Sequence, residues 1–493
     1  MEFVQSFLNR SRLLLLLILA LAILLRLPHL SGSFWLDEAA QALESTRPLS
    51  QQLDIVADFQ PPLLHLITHV ASYASHTEWW LRTAGALVPG LLTIAILYLF
   101  LERAANKKTA TIAAALLATS SLHIYFSQEL RPYSLPTLFA VASWWALYEQ
   151  RWRWFTTLTI AGLYSSYLYP FLLIAQTIWL LLNTKKYKQL VVSLVISTAC
   201  FIPWLPTFFA QLQAGQLLRN ELPGWESTVS ISQEKALQLV MGKFIFGLSD
   251  LSFSLPYLAT GSFVVLSLIS LLLFSWQKKV KRQQKVLMLL LFWAGAPLAF
   301  AWLASWFVPV VEPKRLLLSL AGFYGLASYL FVLSLPQKNA IAKKLATLLI
   351  AMLFIINISS TIRYFIDKSF QREDWRGIIR KIEQTYPAQN TIAVFIFPEA
   401  FAPWLWYASP DITTISTKAI YVDNTTPLRD LLEPTLDYDY ILMFDYLQDL
   451  TDPNRLVAAE LQKFGFEETG SFSAPNVGFA RIFSKQNTAV DQG

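Results

Sequence analysis

The sequence is poor in charge and nearly without cysteine. Of 493 residues, 15% are Asp, Glu, Lys or Arg, and one is cysteine, Cys200. A soluble domain carries about 25% charged residues, so an ordinary soluble globular chain is excluded. A lone cysteine excludes a disulfide within the chain and any cysteine-based metal cluster. There is no Gly-rich phosphate loop, which leaves a nucleotide-binding role without support. There is no internal repeat and no low-complexity tract. Arg10 and Arg12 precede an apolar run at 13–25, as in a signal peptide, but RLPHLSGSFW follows and offers no small-residue cleavage site. The run is therefore expected to stay as a first helix.

What fills the chain instead is hydrocarbon. Hydrophobic residues make up 55%, with 17 Trp, 19 Tyr and 34 Phe, the aromatic richness of interfacial belts. A spanning helix needs about 20 mostly apolar residues. Candidate spans are 12–30, 83–101, 109–126, 133–149, 154–169, 171–183, 189–206, 252–276, 286–305, 316–335 and 344–362. The reading is a polytopic α-helical membrane protein of about eleven transmembrane helices. The net charge of +6 does not point to nucleic acid, because the cations gather in alternate loops. ERAANKK (102–108), EQRWRW (149–154), NTKKYKQ (183–189), QKKVKRQQK (277–285) and PQKNAIAKK (336–344) are all rich in Lys or Arg. By the positive-inside rule these loops and the N-terminus are cytoplasmic. Residues 31–82, 127–132, a turn near Pro170, 207–251 and 306–315 then face outward across the cytoplasmic (inner) membrane. Eleven spans leave the C-terminus outside.

Residues 363–493 have another character, polar enough for a small extracytoplasmic α/β domain. Helices are expected at 374–385, 426–434 and 454–464, and strands at 391–397, 438–444 and 477–484. Residues 1–362 form the membrane module.

The outward loops hold the chemistry. The first contains FWLDEAAQALES and DFQPPLLHLITHV. Asp37 and Glu38 thus follow a greasy helix by a few residues. Pro61 and Pro62 suit a helix start, and Leu63, Leu64, Ile67 and Val70 give that helix an apolar face for the membrane surface. The second loop, SQELRPYSL, puts Glu129, Arg131 and Tyr133 at the mouth of two spans. The last, WFVPVVEPKRLLLSL, adds Glu312, Lys314 and Arg315. Ionisable groups at such depth are functional candidates. Simpler roles exist for each. Asp37 and Glu38 favour a helix N-terminus, Lys314 and Arg315 can snorkel to headgroups, and Glu129 can pair with Arg131. His65 and His69 stand i, i+4, but HLITH lacks the Glu of a zinc-protease motif and no third ligand is evident. A structural or substrate-contacting histidine is the expectation.

The order of these pieces resembles the GT-C glycosyltransferases. The carrying residues are Asp37-Glu38 after the first span, Pro61-Pro62-Leu63 with His69, Glu78 with Arg82, SQELRPY at 127–133, EPKRLLLSL at 312–320 and EDWRGIIRKIE at 373–383. The branch resembled is that of the bacterial protein O-mannosyltransferases and aminoarabinose transferases. Gln60 stands where many bacterial members carry His. The resemblance covers essentially the whole chain and implies a GT-C fold. It implies a transferase that takes a sugar from a polyprenyl phosphate to a hydroxyl of a lipid, glycan or protein outside the membrane.

The residues suit that chemistry. A lipid phosphate leaves as an anion and calls for cations, which Arg131, Lys314 and Arg315 supply. A neutral hydroxyl needs a carboxylate base, and Asp37 is the choice. Glu38 or Glu129 would orient the acceptor or tune Asp37, and Tyr133, Gln60 and His69 would support the acceptor. Single displacement inverts the anomeric centre. Acids beside phosphate can bind Mg²⁺ or Mn²⁺, but the first loop has no D-x-D, so no metal is expected. The expected partners are the lipid-linked donor, the acceptor and membrane lipids. A transporter or lipid-linked-glycan flippase is the other class considered. Transporters gather charge near the bilayer midplane and often show paired repeats, and this sequence shows neither.

Overall fold

The structure, a computed structural model, describes residues 10–222, 232–250, 254–276, 280–337 and 339–485. Each of the eleven expected spans overlaps helix among the described residues, and residues 252–253 of the span expected at 252–276 lie outside them. Among the described residues, six helices are long and apolar enough to cross a membrane on their own: Glu78–Ala104, Tyr187–Glu221, Leu255–Trp276, Lys281–Ala304, Leu317–Ser334 and Ala340–Ile366. The first helix, α1 (Arg10–Leu24), is a shorter apolar one. The span expected at 109–126 is two helices, Lys107–Thr119 and Ser121–Phe126. Residues 277–279 and 338 of the cation-rich loops, and 223–231 and 251 of the loop expected at 207–251, lie outside the described residues.

Local chemistry sets several boundaries. Asn106 accepts from the Thr109 N–H to start one helix, and Asn339 accepts from Ile341 and Ala342 to start another. Each such cap is worth about 1 kcal/mol. Glu78–Ala104 is interrupted by a π turn at Thr83–Leu87, just after Arg82, where such bulges often mark functional sites. The Leu317–Ser334 segment is the most enclosed of the six, with Leu320 to Leu330 buried on every side, which makes it the centre of the bundle.

Two short helices lie between the first and second spans. Helix α2 is Leu36–Ser45 and α3 is Leu63–Ser72. The apolar face expected on α3 for the membrane surface lies partly away from its core side. Leu64 packs inward, but beside it are His65, Thr68 and His69, whereas Val70 is 69% exposed. The inward face is therefore half polar, and it lies against the equally polar inner face of α2, Glu38, Gln41 and Ser45.

The C-terminal region is a five-stranded sheet of order β2-β1-β3-β5-β4, with β1 Thr391–Phe395, β2 Thr413–Ser416, β3 Tyr440–Phe444, β4 Phe466–Ala474 and β5 Gly478–Lys485. β1 runs parallel to β2 and β3, and β5 is antiparallel to β3 and β4. The expected strands are β1, β3 and β5. β2 and β4 are edge strands with polar, mostly exposed sequences, TTIS and FEETGSFSA, so they carry no buried-strand pattern. Helix Trp375–Thr385 starts on Asp374, which accepts from the Gly377 N–H, and buries Trp375, Ile378, Ile379 and Ile382 against the sheet.

This region sits on the loop end of the helical bundle. Arg376 donates to Glu78 Oε1 at 2.7 Å and to the Ser31 carbonyl at 3.0 Å. Tyr407 donates to the same Glu78 oxygen at 2.9 Å and accepts from the Phe34 N–H at 2.7 Å. Glu373 Oε2 accepts from the Leu36 N–H at 3.3 Å, so a residue of the C-terminal region caps α2.

Candidate active site

The three charged loops meet where α2 begins. Asp37 lies in its first turn with its side chain 37% exposed, and Arg131 Nη2 is 3.8 Å from its Oδ2. It is the accessible carboxylate of the group. Glu38, one residue on, faces the other way and is fully buried. Arg82 Nε donates to its Oε1 at 2.8 Å and Arg82 Nη2 to its Oε2 at 2.5 Å, and the Leu130 N–H adds 2.7 Å. Burial alone would raise the Glu38 carboxyl, but Arg82, Arg372 and the Leu130 amide outweigh it and hold it below its usual range. Neither oxygen is left for a substrate. Trp35 makes no side-chain cap at the first turn of α2, and both Glu38 oxygens are paired with Arg82.

Arg82 shows why that geometry is fixed. Its five donors are all used: two on Glu38, and the others on the carbonyls of Leu30, Gly32 and Ser33. A planar fork of five donors is what this turn requires, and it ties the chain between α1 and α2 to the second span.

Arg131 holds two acids. Besides Asp37, its Nη1 donates to Asp58 Oδ1 at 2.8 Å. Asp58 is almost enclosed, and His65 Nε2 donates to its other oxygen at 2.8 Å. Burial pushes the Asp58 carboxyl up, but Arg131 and His65 more than offset it and the group lies below its usual range. Phe59 has a left-handed backbone, φ 48°, an uncommon conformation for a large side chain. That turn brings Asp58 and Gln60 to the same side. Gln60 is buried, with its amide nitrogen against Asp58 Oδ2, Gln41 Oε1 and His65 Nε2.

Glu129 is buried, and Arg372 Nη2 stands 3.7 Å away. Burial pushes its carboxyl up to about 7, with Arg372 pulling down and Glu38 pushing up. Lys314 pairs with Glu312 at 2.9 Å and also acts electrostatically on Glu129 and Tyr133. Arg131 acts on the same two groups. Tyr133 is buried edge-on to Phe126. Arg315 is different: it is 42% exposed, held by Glu312 at 3.4 Å and by the Pro309 carbonyl at 3.3 Å, at the rim. His69 Nδ1 donates to the Ser45 carbonyl at 2.8 Å, and its Nε2 pairs with the Tyr73 hydroxyl at 3.1 Å. That ties α3 to the far end of α2 and keeps it off Asp37.

The structure therefore brings Asp37, Arg131, Glu129, Tyr133 and Lys314 to one mouth, with Gln60 behind Asp58, and leaves Glu38, His69 and Arg315 in supporting positions. Three participants, Asp58, Arg372 and Glu44, were not singled out from sequence. Asp58 is visible as the acid before the double proline. Arg372, buried between Glu38, Glu129 and the Tyr125 ring at 4.5 Å, lies one residue before the EDWRG stretch. Glu44 is recognisable only once α2 and α3 are known to pack face to face, where it lies 3.5 Å from His65.

Residues 60–207 match the sequence family described as dolichyl-phosphate-mannose-protein mannosyltransferase. No curated protein matches the chain by sequence. By fold, the chain is similar to ArnT from Cupriavidus metallidurans in the apo state, at 8% identity and TM-score 0.57, over 98% of this chain and 100% of that one. The same protein bound to undecaprenyl phosphate gives 9% and 0.55, over 97% and 99%. The archaeal oligosaccharyltransferase AglB from Archaeoglobus fulgidus, in complex with an inhibitory peptide and a dolichol-phosphate, gives 12% and 0.50, over 98% of this chain and 75% of that one. The family match and the shared fold bear out the resemblance drawn from the loop motifs.

Proposed function

We propose that this chain, a glycosyltransferase of the PMT/ArnT-like GT-C kind, moves a sugar from a polyprenyl-phosphate donor to a hydroxyl of a lipid, glycan or protein outside the cytoplasmic membrane. The observation that carries the reading is the meeting of one accessible carboxylate, Asp37, with Arg131 at 3.8 Å and Lys314 nearby, on loops from three parts of the chain. The printed ligands of the two fold neighbours, undecaprenyl phosphate and dolichol-phosphate, support a lipid-phosphate donor. The bias of Lys and Arg to the opposite loops supports an outward-facing site, an N-terminus in the cytoplasm and a C-terminal domain outside, with residues 1–362 as the membrane module and 363–493 as that domain.

The step is a single displacement. Asp37 accepts the proton of the acceptor hydroxyl as its oxygen bonds to the anomeric carbon. The bond from that carbon to the phosphate oxygen breaks, and its electron pair leaves with the lipid phosphate. Arg131 and Lys314 carry the charge that develops there, without needing a proton donor. The configuration inverts. Glu38 positions: by locking Arg82 and the Leu130 amide it fixes α2 and the second loop relative to each other. Glu129 and Tyr133 line the mouth, and Gln60 and His69 hold the α2–α3 floor from behind. Arg315 supplies positive potential at the rim.

Asp37→Asn tests the reading. With its half-open side chain the variant is expected to fold and to lose transfer by about 10²–10⁴-fold, measured as radiolabelled sugar passing from lipid donor to acceptor in purified protein. Wild-type turnover by Asp37→Asn removes the base assignment. A wild-type protein that moves lipid donor across vesicles with no transfer removes the enzyme reading in favour of a flippase.

A further inference from the structure

The transfer step leaves a partly buried carboxylate beside the start of α2 unused. Glu373 comes from the C-terminal region, and three donors converge on it. The Tyr446 hydroxyl donates to its Oε1 at 2.8 Å, and Trp375 Nε1 and the Leu36 N–H donate to its Oε2 at 2.6 Å and 3.3 Å. A carboxyl group that only accepts is in its ionised form. The three donors are neutral, so they solvate the charge without cancelling it. Burial pushes the Glu373 carboxyl up, the three bonds pull it down, and the charge of Asp37 adds to the rise. Tyr446 is pushed up by burial, then by Glu373 and by Asp37. Both residues therefore lie within electrostatic reach of Asp37.

Packing fixes that carboxylate in place. The Trp375 ring lies 5.1 Å from Tyr446 and 6.0 Å from Phe401, and Tyr446 lies 5.4 Å from Phe401. Leu36 packs against the same cluster. The segment that leads into Asp37 is tied to the C-terminal region at three residues. Ser33 Oγ accepts from the Arg376 N–H at 3.1 Å, the Phe34 N–H donates to the Tyr407 oxygen at 2.7 Å, and the Leu36 N–H donates to Glu373. Asp37 is the next residue. The first amides of a helix have no partner within it, and Trp35 supplies no side-chain cap to α2. Glu373 takes that place from another part of the chain, with the negative charge that a helix start favours.

We propose that Glu373 is the positioning residue for Asp37: it caps α2 from the C-terminal region, and so fixes the place and the electrostatic surroundings of the carboxylate that takes the acceptor's proton. The proposal rests on the transferase reading with Asp37 as base. Three groups then act on Asp37. Arg131, 3.8 Å away, comes from the second loop, and Glu373 and Tyr446 come from the C-terminal region. On this account the C-terminal region is part of the catalytic machinery, acting through α2.

Glu373→Gln keeps the shape of the side chain and removes its charge. Transfer is expected to fall about 10–100-fold, the equivalent of one charge-assisted bond, in kcat and not in the KM for lipid donor. The acid limb of the kcat/KM profile should move to lower pH, since a nearby negative charge disfavours a second ionised carboxylate. A role that runs through Asp37 is lost when Asp37 is. In Asp37→Asn, the added Glu373→Gln should therefore cost almost nothing more. Tyr446→Phe keeps the ring on Trp375 and withdraws one donor, so it tests the same link if Glu373→Gln folds poorly. It should show a smaller loss that also disappears in Asp37→Asn. Losses that add in the double variants, or a Glu373→Gln protein with wild-type rate and pH profile, overturn the proposal. Either result leaves the transferase reading standing, since wild type and Asp37→Asn still differ. Equal turnover by those two fails the base reading instead, and the proposal with it.

Discussion

Glu38 and Arg82 form a two-point ion pair in which neither side chain has any exposed surface. Removing one member of such a pair leaves an uncompensated buried charge and costs about 3–5 kcal/mol. Glu38→Gln and Arg82→Ala are therefore expected to lower the thermal denaturation midpoint sharply, whereas Asp37→Asn leaves it near wild type. The contrast between adjacent acids is the test, followed by intrinsic fluorescence in detergent. A Glu38→Gln protein that melts with wild type but has lost transfer would return Glu38 to the chemistry.

The clamp between the C-terminal region and the bundle gives a second expectation. Glu78 Oε1 takes both Arg376 and Tyr407, and the same linker carries Arg372 to Glu38 and Glu129. Hydrogen bonds to a charged group contribute about 1.5–3 kcal/mol. Glu78→Gln weakens both and should open the junction. Limited proteolysis is expected to cut between 367 and 374 faster than in wild type, and transfer is expected to fall together with it. Unchanged cleavage would mean that the remaining contacts of Arg376 and Glu373 hold the junction alone.

How much of this could be read from sequence follows from the kind of signal involved. Long apolar runs mark helices wherever they fall, and each expected run overlaps helix, six of them in helices long and apolar enough to cross a membrane. Where an apolar run is broken, as at Ser120 between two helices, hydropathy reads straight through. β1 and β3 are buried and alternate with helix, and β5 is mostly buried from Ala480 on, so they were legible, but β2 and β4 lie at edges where exposed polar side chains erase the pattern. Asp37, Glu129 and Arg131 stood out because charge beside hydrocarbon is costly. Asp58 and Glu44 did not, being ordinary acids in a polar loop until α2 packs on α3. The polar core side of α3 was not legible for the same reason. Its helical period was evident, but which face meets the core depends on what α2 offers, and α2 offers Gln41 and Ser45.

Arg131 is the next residue to perturb. It holds Asp58 at 2.8 Å while facing Asp37, a two-sided task for a fork of donors that a lysine cannot match. Arg131→Lys keeps the charge and loses one side. With charge-assisted bonds worth about 1.5–3 kcal/mol, kcat/KM for the lipid donor is expected to fall about 10–100-fold. Most of the loss should appear in KM if the guanidinium binds ground-state phosphate, and in kcat if it stabilises the departing phosphate. Donor titration at fixed acceptor separates the two, and unchanged values for both would remove Arg131 from the donor site.

Glu129 gives a pH dependence whose sign can be worked out. Burial raises its carboxyl to about 7 from an ordinary value near 4.5. The folded state therefore holds the proton more tightly than the unfolded state between those values, and stability falls as pH rises through that window. The upper bound for a shift of this size is on the order of 3 kcal/mol. Glu44 is raised to about 7 as well, by burial and by Asp58, and adds to the same slope. Asp58 and Glu38 are held low, so their contributions are lost only as pH drops below the ordinary carboxylate range. Wild type should accordingly melt at a lower temperature at pH 7.5 than at pH 5. Glu129→Gln carries no titrating proton, so the drop between those two pH values should shrink but not vanish, because Glu44 remains. The readout is the thermal midpoint across pH 5–8 in one detergent. A Glu129→Gln curve parallel to wild type would place the Glu129 carboxyl back near 4.5 and leave Arg372 as its fully paired partner.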